Sequence, residues 1–118
     1  MPTSPKKKGA DFERRVKERL EKDGYYVTRA AGSFGVFDLV ALPTKSEIYT
    51  KLIMRGFTKE QAYTVVEVLS DCILGVQCKT NGRITNNEVE KIRETSRIYP
   101  IKPLLAWRKK RKIAFKVL

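Results

Sequence analysis

Val36-Phe37-Asp38-Leu39-Val40-Ala41-Leu42 is an apolar run broken by one charge, and Cys72-Ile73-Leu74-Gly75-Val76-Gln77-Cys78-Lys79-Thr80 is another that ends on polar residues. Short apolar runs rich in β-branched residues and bounded by turn formers read as strands. Ala31-Gly32-Ser33 precedes the first run and Pro43 ends it, while Asn81-Gly82 closes the second. Tyr25–Ala30, aromatic and β-branched, forms a further strand joined to Val36–Leu42 by the glycine-containing turn.

Outward from these strands the spacing becomes helical. Phe12, Val16 and Leu20 recur at one face from Asp11 onward, and Gly24 stands where a C-terminal cap glycine belongs. Residues 1–9 hold Pro2, Pro5 and the run Lys6-Lys7-Lys8, a composition that reads as a flexible basic arm. Residues 43–71 read as a helical hairpin. Ile48, Leu52 and Ile53 share a face that Gly56 closes, and Thr58-Lys59-Glu60-Gln61 is a capping-box pattern before Ala62, Val65, Val66 and Leu69. Thr64–Leu69 is β-branched enough to form a strand instead. A second capping box, Thr85 to Glu88, opens a helix carrying Val89, Ile92, Ser96 and Tyr99, stopped by Pro100 and Pro103. Leu104–Trp107 and Ile113–Val117 flank Arg108-Lys109-Lys110-Arg111-Lys112, as strands of a hairpin with a charged tip would. The order predicts an α/β fold around a central mixed five-stranded sheet, with residues 10–118 as a single domain.

The chain has 118 residues and 42% hydrophobic residues, enough for one core. Its 25 Lys and Arg against 13 Asp and Glu give a net charge of +12, which points to a polyanion as partner and first to nucleic acid. No stretch approaches the ~18 apolar residues of a spanning helix, and the basic start lacks the apolar segment of a secretory signal. A cytoplasmic protein that avoids membranes is the expectation. Cys72 and Cys78 lie six apart in one predicted strand, roughly 20 Å at ~3.3 Å per residue, so they cannot bridge. Sharing parity with Leu74 and Val76, both read as small core residues. Histidine is absent, which excludes imidazole bases and His-ligated zinc.

Phosphodiester hydrolysis without histidine ordinarily uses a divalent cation, and a hard cation takes oxygen ligands. Asp38 is the one charge in its apolar run, where propensity and burial both disfavour it. A solvent-facing edge position is the plain alternative. Gln77 and Lys79, two apart on a strand, share one face of the sheet. They suit an amide-oxygen ligand and an ammonium that stabilises developing charge, although two polar residues at a strand end also describe an ordinary half-exposed sheet.

The stretches Lys8-Gly9-Ala10-Asp11-Phe12-Glu13-Arg14, Gly24-Tyr25-Tyr26-Val27, Arg29-Ala30-Ala31-Gly32-Ser33 and Asp38-Leu39-Val40-Ala41-Leu42 resemble the archaeal-type Holliday-junction resolvases of the restriction-endonuclease-like superfamily. That superfamily pairs an Asp on one strand with a Glu, any residue, Lys triplet on the next, and Gln77-Cys78-Lys79 occupies the triplet's place. The resemblance implies a magnesium site, with manganese as a substitute, formed by Glu13, Asp38, Gln77 and the backbone carbonyl of Cys78. It also implies Lys79 as the catalytic lysine, Ser33 as an assisting residue, and Arg14 and Arg29 as contacts to the DNA backbone. The implied activity is cleavage of four-way DNA junctions by a symmetric homodimer. Other enzyme readings are cleavage of different branched or duplex DNA by the same site; a binding protein with a lapsed site is the alternative from another class.

Two departures stand out. Gln77 replaces the triplet's acid and offers oxygen without charge. Residues 43–71 stand where the family has a short turn, which marks them as an insertion; Glu67 or Asp71 could carry a replacement acid, or the segment could serve dimerisation or DNA contact. Lys6, Lys7 and Lys8 with Arg108, Lys109, Lys110, Arg111 and Lys112 suit phosphate contacts that raise affinity without reading sequence.

Overall fold

A computed structural model of the chain describes residues 5–29 and 37–118, and of residues 5–8 the backbone alone. It divides into two compact units, Met1–Thr44 and Lys45–Leu118.

In the first unit helix α1 spans Pro5–Lys22. Proline is tolerated in the first turn because its missing N–H would be unpaired there anyway. Lys6, Lys7 and Lys8 therefore stand on α1 rather than in an unstructured arm. Gly24, at φ 98°, ends the helix: Tyr25 N–H donates to the Leu20 carbonyl and Gly24 N–H to that of Glu21. The chain then reverses into β1 (Tyr26–Arg29), which pairs antiparallel with β2 (Leu39–Leu42) from Tyr26 opposite Leu42 to Arg29 opposite Leu39. Val27 is buried, and α1 packs against both strands.

The second unit opens with α2 (Lys45–Met54) and α3 (Lys59–Cys72), which pack against each other. Gly56, at φ 97°, ends α2 in the manner of Gly24, with Phe57 N–H on the Leu52 carbonyl. Thr58 caps α3 reciprocally with Gln61, which resolves Thr64–Leu69 as helix. Strand β3 (Leu74–Cys78), helix α4 (Asn86–Ile98), and strands β4 (Lys102–Lys109) and β5 (Lys112–Val117) follow. β4 is central, parallel to β3 and antiparallel to β5. Leu105 and Ala106 on β4, with Ala62 and Val66 on α3, are the buried apolar residues here, and Pro100 is fully enclosed.

Two expectations need correction. Among the described residues the hydrogen bonds build two sheets, β1-β2 and β3-β4-β5, and do not join the five strands into one. The cysteines are not core residues: both are exposed, and Cys72 ends α3 instead of entering the strand. Alternation along β3 holds, but the half-buried side carries Gly75 and Gln77, while Leu74 and Val76 are exposed with Cys78. Alternation fixes which residues share a side and leaves open which side is covered.

Candidate functional site

The sequence-predicted residues fall into two groups, one in each unit. In the first, Glu13 lies on α1 and Arg29 ends β1, and the guanidinium donates from Nη2 to Glu13 Oε2 at 3.3 Å. Asp38 immediately precedes Leu39, the residue opposite Arg29, so the hairpin register brings the carboxylate to the strand end that carries the pair. Asp38 is exposed at a bend rather than inside the strand, which removes the burial argument for it. Arg14 stands two-thirds exposed, within 3.9 Å of both Asp11 and Glu18. Ion pairs so exposed contribute little, so they leave the guanidinium able to exchange partners. Ser33 lies outside the described residues.

In the second group Gln77 and Lys79 share the half-buried side of β3, as alternation required. Lys79 continues the ladder one step beyond the strand, its N–H donating to the Ala106 carbonyl. Its own carbonyl accepts from Gly82 N–H at 3.0 Å, closing a turn in which Asn81 Oδ1 accepts from Arg83 N–H. Gly82 has φ 72°, and a methyl group there would meet Trp107 Cγ at 3.1 Å.

This turn sends the chain into α4 so that its first residues return to the end of β3. Thr85 caps α4, its hydroxyl accepting from Glu88 N–H at 3.2 Å. The Glu88 side chain reaches back, accepting at Oε1 from the Thr85 hydroxyl at 3.1 Å. Its other oxygen, Oε2, takes the Lys79 ammonium at 2.9 Å. That ammonium, with the Thr85 hydroxyl second, holds the Glu88 carboxyl below its ordinary range. The contact joining Lys79 to Glu88 was missed from sequence because the capping box had already given Glu88 a role. Asn81-Gly82 was the signal that could have found it, since a tight turn there brings the helix start back to the strand end.

Glu67 and Asp71 line a groove of about 640 Å³ with Lys45, Tyr49 and Tyr63. The two rings meet at a tilt of 39° with centroids 4.9 Å apart, and burial, then Tyr63, raises the Tyr49 hydroxyl's pKa.

The basic run forms the turn of the β4-β5 hairpin. Lys109 faces Lys112, and Lys110 and Arg111 make a two-residue connection with Lys110 at φ 57°. Arg108 through Lys112 are all exposed.

Among the described residues no three of His, Cys, Asp or Glu gather as a metal cage would require. The donors nonetheless suit magnesium, which accepts one or two carboxylates, keeps several waters and takes oxygens from substrate. Glu13 and Asp38 carry carboxylates in the first unit, and Gln77 carries an amide oxygen in the second.

Fold and site define a basic, mixed α/β protein with a lysine–carboxylate pair at a strand end. Residues 4–54 match the family model of the archaeal Holliday junction resolvase (hjc), a span that holds Glu13, Arg14, Arg29, Ser33 and Asp38 and stops at the end of α2. The chain is also 34% identical over 104 residues to the crossover junction endodeoxyribonuclease Hjc of Methanocaldococcus jannaschii, covering 85% of this chain and 58% of that relative. Both comparisons bear out the resemblance to archaeal-type Holliday junction resolvases. The chain spans little more than half of the relative's length. No solved structure matches it.

Proposed function

We propose that this chain is a structure-selective DNA endonuclease that resolves four-way junctions by metal-dependent phosphodiester hydrolysis, acting in the cytoplasm as a homodimer. The observation that carries the reading is the 34% identity across 85% of the chain, an alignment wide enough to run through both units. In this reading the chain is one nuclease domain with a restriction-endonuclease-like core, residues 43–71 are an insertion, and Glu13, Asp38, Gln77 and Lys79 serve the same phosphodiester.

Glu13, Asp38, the Gln77 amide oxygen and the Cys78 carbonyl would hold the cation, magnesium or manganese in its place. Bound there, it supplies polarisation of the phosphoryl oxygen and an acidified water. Lys79 places its ammonium beside the scissile phosphate and stabilises the charge that develops as the 3′ oxygen leaves. Ser33 assists beside the site. Arg14 and Arg29 grip neighbouring phosphates, which their planar forks accept bidentately. Lys6, Lys7 and Lys8 and the hairpin tip Arg108–Lys112 extend that grip without reading sequence. Two copies related by a twofold axis match a substrate with twofold symmetry and would cut opposite strands. The exposed Leu74, Val76, Ile113, Phe115 and Val117 offer apolar surface that a second copy could cover.

A second reading is favoured by Gln77 and by the lack of an acidic cluster among the described residues: a branched-DNA-binding protein whose cutting site has lapsed. Cleavage of a labelled four-way junction beside matched linear duplex, with Mg²⁺ and with Mn²⁺, separates the readings. Paired nicks confined to the junction and lost in Asp38→Asn support the resolvase. Equal cutting of duplex indicates a more general nuclease, and tight binding without cutting supports the lapsed site.

A further inference from the structure

With glutamine at position 77, Lys79 lacks the acid that the superfamily triplet places two residues before it on the same strand. The ammonium meets Glu88 instead, at 2.9 Å, the shortest ion pair among the described residues. Both side chains are about one-third exposed, at 30% and 34%, so the pair is reachable from solvent. Capping does not account for it. Glutamine at the third helical position closes a capping box as well as glutamate does, and the Gln61 box on α3 is an example in this chain. The hydrogen bonds of the box therefore do not require the charge on Glu88, which favours the helix start and pairs with Lys79. A carboxylate has roughly four lone-pair positions, more than Thr85 and Lys79 occupy, and Gln77 stands on the same side of β3 as Lys79.

We infer that Glu88, reaching from α4 to Lys79 at the end of β3, supplies the carboxylate that Gln77 lacks and is a ligand for the divalent cation. The inference rests on the nuclease reading. It replaces Glu67 and Asp71 as the source of the missing acid, since both line the groove between α2 and α3. The site thereby keeps the triplet's composition, one charged oxygen donor, one further oxygen and one ammonium, with the charge moved from strand to helix.

The test uses the full chain as wild type, Glu88→Gln, and the double variant Gln77→Glu with Glu88→Gln. Mn²⁺ affinity is measured by titration calorimetry without DNA, junction cleavage is measured in Mg²⁺, and melting temperature confirms that the cap and fold persist. Glu88→Gln should weaken Mn²⁺ binding at least about tenfold, on the scale of losing a group that tunes a metal site, with melting little changed. The double variant should recover both affinity and cleavage, which a purely structural role for Glu88 would not produce. Unchanged Mn²⁺ affinity in Glu88→Gln, or a double variant no better than the single, overturns the inference; if such proteins still nick junctions, the nuclease reading stands without it. Wild type that binds Mn²⁺ through Glu88 yet cuts no DNA leaves this ligand in place and removes the nuclease reading. Wild type that binds no Mn²⁺ overturns the inference outright.

Discussion

Arg29 neutralises Glu13 across 3.3 Å, so two groups assigned to different tasks, cation and phosphate, occupy each other in the protein without DNA. A phosphate that recruits the guanidinium releases the carboxylate, because Arg binds either anion with the same fork. Arg29→Ala should therefore tighten Mn²⁺ binding in the absence of DNA while weakening junction binding, both measurable by titration. If metal affinity in the free protein falls instead, Arg29 supports the carboxylate rather than competing for it. Lys79→Ala should lower the cleavage rate by about two orders of magnitude, the range for removing one transition-state charge donor, with junction affinity changed only a few-fold. The Glu88 carboxyl, whose pKa is lowered in the folded chain, adds stability that is present above its unfolded value near ~4.3 and is lost as pH falls through the depressed folded value. Thermal melting from neutral to acid pH should show the small advantage of wild type over Glu88→Gln disappearing only at the acid end.

At the scale of elements, β3 depends on close approach to the chain that leads into β4. A methyl group on Gly75 would sit 2.6 Å from Ile101 Cγ2, inside contact distance, and the β-branched side chain has few rotamers to retreat into. Gly75→Ala should cost about 1–3 kcal/mol in chemical denaturation. In the β4-β5 turn Lys110 holds a left-handed backbone, a cost of roughly 1–2 kcal/mol for a residue with a Cβ. Lys110→Gly should stabilise the hairpin while removing one cation from its tip. Features carried by neighbours in sequence were legible from the outset: Gly24 and Gly56 end helices, Thr58 and Thr85 begin them, and Asn81-Gly82 turns the chain. The start of α1 was misread because Pro5 and three lysines resemble a disordered arm, yet a helix accepts proline in its first turn. The exposure of Leu74, Val76 and Cys78 was illegible for a different reason: alternation puts them on one side together but does not say which side the rest of the chain covers, and here the apolar side is the exposed one. Glu88 was hidden because its contact with Lys79 depends on where a turn aims a helix.

For the whole molecule a charge of +12 ties function to ionic strength. If six phosphates are neutralised, junction affinity should drop by about 10³ between 50 and 200 mM salt. Replacing Lys109, Lys110 and Arg111 by alanine should make the log–log slope shallower by about 0.9 for each phosphate that is no longer neutralised. Fluorescence anisotropy across a salt series measures both, and a flat response in wild type would remove nucleic acid as the reason for the charge. The first turn of α4 sets a different kind of limit. Helix ends fray, and here the residue that seals the end also holds the ammonium of Lys79. Each opening of that turn would leave the lysine unposted, so the closed fraction is an upper bound on the fraction of molecules ready to act. Amide exchange at Glu88, whose N–H is sealed by the Thr85 hydroxyl, would measure that duty cycle directly.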